Sequence, residues 1–185
     1  TGASKTNTAI VHAGFNADAD KLKGRLNVRG NQLFRDRIQH ELDIPLEWIG
    51  ALVVAQKEEN ISKLESIYEN GKKNGVPGLE IVKGDKLFEL EPNLHPDSVA
   101  ALYAPTSGIV NPFELTVALA NNAAENGADI LREAEVFAID DQGEYKIVKT
   151  RQGDIKADLV INAAGRYSEE IAKMVGIDKF KITPR

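Results

Sequence analysis

A chain of 185 residues with 42% hydrophobic and 28% charged residues has the make-up of a folded globular protein, long enough for one large domain or two small ones. The absence of cysteine excludes disulfides, thiolate chemistry and cysteine-held metals or clusters, and suits a reducing cytoplasm. A net charge of −5 argues against general nucleic-acid binding, no apolar run approaches the roughly 20 residues of a membrane span, and residues 1–15 lack the pattern of a secretory signal.

The opening stretch "GASKTNTAIVHAGF" (2–15) is rich in small and hydroxyl residues and places His12 at the end of a short apolar run. In residues 18–42, Leu22, Leu26, Leu33, Phe34, Ile38 and Leu42 recur at helical intervals; Gly24 and Gly30 weaken the first part, so the secure helix is expected over 27–42. "LEWIGALVVAQ" (46–56) reads as one strand. A helix over 57–75 follows, with Ile61, Leu64, Ile67 and Tyr68 on its apolar face and Gly71 or Gly75 as its stop. A short strand (79–84), a helical turn closed by Pro92 and a strand (98–105) come next.

The clearest helix is 111–127. Asn111 suits the N-cap, Pro112 the first helical position, and Glu114 completes a capping box, with Gly127 as the terminator. A short strand is expected at 128–133. The segments 134–141, 144–150 and 154–164 then alternate or run apolar between the turn signals "DQGE" and "RQGD", which predicts a three-stranded antiparallel meander. Within the last of them, Leu159, Val160 and Ile161 are consecutive, the pattern of a strand covered on both faces, and a helix over 168–176 follows. Residues 180–185 resemble the start of a further strand. The fold class is therefore α/β (α+β).

Three stretches hold residues suited to chemistry. The strand expected to end at Ala163, Ala164 and Gly165 leaves its backbone uncovered, which suits close approach of a flat or phosphorylated ligand, or else makes a tight strand-to-helix turn. In "APTSGIVNPFEL" (104–115), Thr106 and Ser107 offer loop hydroxyls that are either functional or solvated. His12 is either a satisfied structural residue or a working group. Arg29 and Tyr103 suit contact with an anionic substrate, or else are a surface arginine and a half-buried strand tyrosine. The other histidines, His40 and His95, are too widely spaced to suggest a metal site, and no GxGxxG, GxxxxGK[ST] or GxSxG occurs.

Taken in order, "SKTNTAIVHAGFNAD" (4–18), "ALYAPTSGIVNPFELTVALANNAAENGADIL" (101–131) and "ADLVINAAGRYSEEIAKMVG" (157–176) resemble FAD-dependent oxidoreductases of the D-amino-acid-oxidase superfamily. Within it the likeness is to the glycerol-3-phosphate dehydrogenase type, in the branch of the anaerobic enzyme, which also resembles L-2-hydroxyglutarate oxidases. The resemblance implies a central piece of a longer flavoprotein, lacking a dinucleotide-binding glycine loop before it and catalytic elements after it. Residues 1–18 would belong to the FAD-binding domain, 19–110 mainly to a substrate-binding domain with a mixed sheet, and 111–185 to the FAD-binding, Rossmann-like domain with the meander.

The same resemblance implies the site residues. Ser4, Asn7 and Thr8 would lie along the ribityl and pyrophosphate side of FAD, and His12, Ala13 and Gly14 near the isoalloxazine. Val136 would meet the adenine half through its backbone, and Ala163, Ala164 and Gly165 would make a second close backbone approach. Tyr103, Thr106 and Ser107 would face the substrate pocket; no role carries over to Arg29. The implied reaction is oxidation of a secondary alcohol bearing an anionic group, with hydride transfer to flavin N5 and His12 as the base, an imidazole being suited to proton transfer near neutral pH. FAD would be bound by the whole protein and not by this piece alone. The electron acceptor would be quinone, oxygen or a partner subunit, and the location cytoplasmic, with peripheral attachment to the membrane's inner face an option. L-2-hydroxyglutarate, or an amine or amino acid, as the substrate of an oxidase or dehydrogenase of the same superfamily, or a non-catalytic interaction domain of the same fold, stands as the alternative.

Overall fold

Residues 2–183 are described by the structure, a computed structural model; the expected strand at 180–185 lies partly outside the described residues, and its described part, 180–183, is not in a strand. The chain's contacts divide it into two units, one of residues 8–122 and one of the residues up to 7 with those from 123 onward.

In the 8–122 unit, β1 (Ile10–Val11) leads through a long loop into α1 (Leu22–Leu33), a π-helical turn (Phe34–Ile38) and α2 (Gln39–Glu41). Helix α1 thus begins at Leu22, not at residue 27. Gly24 is buried, and a side chain there would strike the carbonyl of Asp18, so close approach to the preceding loop explains this glycine inside a helix. The expected strand 46–56 is two strands, β2 (Leu46–Glu47) and β3 (Ala51–Ala55), in different sheets. The break comes at Gly50, where a side chain would meet the ring of Tyr103 and where the main-chain N–H donates to the carbonyl of Ser107 at 2.9 Å.

Helix α3 (Ile61–Asn74) ends on Gly75, at φ 81°, with the N–H groups of Gly75 and Val76 bonded back to Lys72 and Gly71. Glycine tolerates this left-handed backbone without the penalty a side chain would bring. Next come β4 (Glu80–Lys83), α4 (Asp85–Leu90), β5 (Ala100–Ala104) and β6 (Gly108–Val110). Strand β5 lies between β3 and β4, with Leu102 opposite both Val53 and Ile81; β6 lies between β1 and β2. All these pairings are antiparallel, where a mixed sheet was expected.

The core follows from the two-residue period of β5. Ala100 and Leu102 pack with Leu64 of α3 and Ala55, whereas Ala101 faces the other way onto Val82 and Leu87 of α4. Helix α5 (Pro112–Glu125) starts with Asn111 Oδ1 accepting the N–H of Phe113 at 3.0 Å and of Glu114 at 3.4 Å. The expected box closes differently: the Glu114 carboxylate takes the Asn111 side-chain amide at 2.8 Å, and the Asn111 main-chain N–H goes to the carbonyl of Pro45.

In the second unit, Gly127 closes α5 as expected, at φ 88°. Residues 128–133 form no strand; Ile130 and Leu131 are exposed, and Glu133 takes a positive φ of 61°, which interrupts any extended run. The meander is present as β7 (Val136–Asp141), β8 (Lys146–Thr150) and β9 (Gly153–Ala157), paired in that order and antiparallel. Ion pairs Lys149–Asp140 (3.3 Å) and Lys146–Asp141 (2.9 Å) flank the β7–β8 ladder. Strand β9 stops at Ala157, and the run expected to be covered on both faces is not: Leu159 is 77% and Ile161 81% exposed. A strand exists only against a neighbour, and among the described residues none pairs with 158–164. A 3-10 turn (Gly165–Tyr167) then leads into α6 (Ser168–Lys173), whose Glu169 carboxylate binds Lys173 and the main-chain N–H of Ile182, each at 2.7 Å.

Candidate functional site

The loop after β1 is held by side-chain amides from two helices. Asn27 and Asn31, four residues apart on α1, both donate to the carbonyl of His12, at 3.3 and 3.2 Å. Asn70 and Asn74, four apart on α3, take the next carbonyls: Asn70 binds those of Phe15 and Ala17 at 2.8 Å each, and Asn74 those of Gly14 and Ala17 at 2.8 and 2.7 Å. Asn70 Oδ1 also accepts the N–H of Ala19 at 3.2 Å. Four asparagines thereby satisfy carbonyls that no strand reaches, which is how an irregular segment keeps one conformation.

Within that loop Ala13 is 1% exposed and packs with Val76 and Ala104. Gly14 is buried at φ 107°, and a Cβ on it would lie 2.6 Å from Val28 Cγ2. Both residues are thus accounted for by the unit's own packing. His12 differs: its main chain is fixed, yet the residue is exposed, and its imidazole forms no hydrogen bond among the described residues.

Asn31 ties this loop to a second one. It is 3% exposed, and its Nδ2 also donates to the carbonyl of Thr106, at 2.7 Å. The Thr106 hydroxyl oxygen is buried without a partner, and Ser107 is 2% exposed, its carbonyl engaged by Gly50. The structure therefore brings His12 together with Thr106 and Ser107. Tyr103 lies on the opposite face of β5 from Ala104, near Val82 and Leu87, and not on the side of the His12 loop. Arg29 is exposed and donates to Gln32 at 3.0 Å.

The asparagines are the residues that sequence reasoning missed. Their signal was spacing: two pairs of a poor helix former, each four apart inside an amphipathic helix, point to side chains occupied with a neighbouring backbone.

The other unit carries the remaining predicted residues except Thr8. Residues 2–7 form a tight turn in which Lys5 and Thr6 donate to the carbonyl of Gly2, and the Asn7 side chain donates to Ala3 and Ser4; Ser4 is exposed. Thr8, also exposed, is the first residue of the 8–122 unit. Val136 opens β7 beside a bulge and is half-buried. Ala163, Ala164 and Gly165 are exposed in a turn that Asn162 shapes by accepting the N–H of Ala164 at 3.2 Å and donating to the carbonyl of Ser168 at 2.8 Å. Gly165 has φ 58°, and a Cβ there would meet nothing within 4 Å. Side chains no larger than methyl leave this main chain open to a flat or phosphorylated ligand. An apolar cleft of about 530 Å³ lies between β7, the 158–162 run and α6, with Ile139, Leu159, Ile171 and Phe180 among its walls and Asp141, Lys146 and Asp158 as its charged residues.

No helix among the described residues is long and apolar enough to cross a membrane, and no group of three acidic or histidine side chains among them could hold a metal ion. Known proteins place this architecture. The chain is 41% identical over 98% of its length to a glycerol 3-phosphate dehydrogenase of Caloramator mitchellensis, and 30% identical over 92% to the mitochondrial L-2-hydroxyglutarate dehydrogenase of Homo sapiens. It spans 38% and 39% of those two proteins. Its fold matches the L-alpha-glycerophosphate oxidase of Mycoplasma pneumoniae, a structure with FAD bound, at a TM-score of 0.85 and 26% identity, over 92% of this chain and 46% of that one. The sequence model of the FAD dependent oxidoreductase family matches residues 1–185, and the chain belongs to that family.

Proposed function

We propose that this chain forms part of a flavoenzyme that oxidises glycerol 3-phosphate to dihydroxyacetone phosphate. The observation that carries the substrate is the 41% identity, over 98% of this chain, with the Caloramator glycerol 3-phosphate dehydrogenase. The residues present suit FAD: the turn at 2–7 with exposed Ser4, and the open main chain at Ala163, Ala164 and Gly165, offer hydrogen-bonding backbone and small side chains in the manner of a phosphate- and ring-binding surface. Ser4, Asn7 and Thr8 serve the ribityl and pyrophosphate portion, and Val136 the adenine portion. When bound, FAD supplies the two-electron acceptor at its N5.

The chain's own contribution is to hold and deprotonate the alcohol. The exposed imidazole of His12 takes the hydroxyl proton as the carbinol C–H bond breaks, leaving the carbonyl of the ketone product. Its anchored main chain fixes the point from which that imidazole reaches the substrate, which is the part of catalysis that positioning supplies. Thr106 and Ser107, on the loop that Asn31 ties to His12, are assigned to the substrate side; the Thr106 hydroxyl oxygen is buried without a partner and would have to be uncovered to meet a ligand.

Dye reduction by the purified whole flavoprotein tests the substrate. Glycerol 3-phosphate is expected to reduce the dye and L-2-hydroxyglutarate not. The reverse preference would move the protein to the second activity, that of the human relative; reduction by neither would remove both and leave the interaction-domain reading.

A further inference from the structure

We propose that Asn31 is a positioning residue for His12, setting the imidazole against the substrate hydroxyl through the backbone of two loops; this rests on the reading of His12 as the base. Asn31 lies on α1, 19 positions from His12 and 75 from Thr106, and its amide nitrogen reaches both carbonyls, at 3.2 and 2.7 Å. Arg35, one turn further along, donates from Nε to Asn31 Oδ1 at 3.1 Å.

That third bond fixes which way the amide points. A guanidinium is only a donor, so the atom facing it must be the amide oxygen, and the nitrogen's two hydrogens are then directed at the two carbonyls. Every strong hydrogen-bonding position of the amide hydrogens is used, in a residue 3% exposed. Replacement by aspartate would set a carboxylate against two carbonyl oxygens, and replacement by alanine would leave both without their link. Asn27 is a weaker second support, reaching only His12, at 3.3 Å. Beside the β1–β6 pairing of Val11 with Gly108 and the packing of Ala13 on Ala104, Asn31 ties the His12 and Thr106 carbonyls directly to one amide, so the placement of the His12 main chain against the Thr106 loop depends in part on that amide.

A displacement of about 1 Å at a reacting group costs on the order of 100-fold in rate. The test is flavin reduction by glycerol 3-phosphate in single-turnover mixing, using the whole flavoprotein with Asn31→Ala, His12→Ala and the double substitution. Asn31→Ala is expected to retain its FAD and to reduce it roughly 10- to 100-fold more slowly. In the His12→Ala background it should cost nothing further, because it acts through a group already removed. Multiplying effects, or an Asn31→Ala enzyme that reduces flavin at the normal rate, would overturn the inference while leaving His12 as the base. A His12→Ala enzyme with normal reduction would instead overturn the reading of His12, and the inference with it. If Asn31→Ala does not fold, Arg35→Met removes only the bond that orients the amide. It should slow reduction several-fold, again with no added effect once His12 is gone; an additive or absent effect overturns the inference there too.

Discussion

Replacing Gly14 by alanine separates packing from ligand contact at a position where sequence reasoning expected cofactor. The backbone at Gly14 has φ 107°, outside the regions an L-residue occupies at ease, and holding alanine there costs about 1–3 kcal/mol. The new methyl would also sit 2.6 Å from Val28 Cγ2 and 3.3 Å from the Val28 nitrogen, and such overpacking costs roughly another 1–3 kcal/mol. The sum, about 2–6 kcal/mol, is a large part of the 5–15 kcal/mol that holds a typical domain together. Urea unfolding of the flavin-free protein is the assay. With a slope of about 2 kcal/mol per molar, the midpoint should fall by roughly 1–3 M. Val28→Ala in the same background removes the methyl that is struck, although not the main-chain contact, so the two substitutions together should be less destabilising than their sum by about 1–2 kcal/mol. A Gly14→Ala protein that unfolds at the normal midpoint without flavin would refute the reasoning and return Gly14 to a role in ligand contact alone.

Asn70→Ala strips the Phe15 carbonyl and the N–H of Ala19 of their partner and leaves the Ala17 carbonyl to Asn74, and should destabilise the protein by about 1–3 kcal/mol in the same unfolding assay, with faster amide exchange at Ala19. Glu169 is held below its ordinary carboxylate range by the hydrogen bond from Lys173 and then by the N–H of Ile182. A depressed carboxylate contributes stability above its unfolded pKa, so the tie to Ile182 should persist above about pH 5 and fade as the pH falls below about 4. Glu169→Gln should flatten that part of a melting-temperature profile, and an unchanged profile would count against the tie. The 185-residue chain expressed alone should carry less than one flavin per chain, measured by absorbance after desalting; a full equivalent would contradict this.

The elements with their own local logic were legible. The capped start of α5 at Asn111 and Pro112, the glycine ends at Gly75 and Gly127, and the meander between its turn signals all follow from residues close together in sequence. Non-local structure was not. Residues 46–56 read as one strand because nothing local reveals that Gly50 meets the Tyr103 ring and sends the two halves to different sheets. Leu159 to Ile161 read as a buried strand because burial was inferred from composition, whereas a strand needs a partner that the described residues do not provide. At the candidate site, His12 was visible as an isolated imidazole and Thr106 as a loop hydroxyl, but their connection through Asn31 joins positions 12, 31 and 106, which only the fold brings together.

Anaerobic mixing of the whole flavoprotein with glycerol 3-phosphate, followed by flavin absorbance, tests the central claim most directly. The flavin should bleach in a single turnover, and deuterium at carbon 2 of the substrate should slow the bleaching, because breaking that C–H bond is the step the site is proposed to serve. A flavin that stays oxidised with glycerol 3-phosphate, while L-2-hydroxyglutarate or an amine bleaches it, would contradict the account.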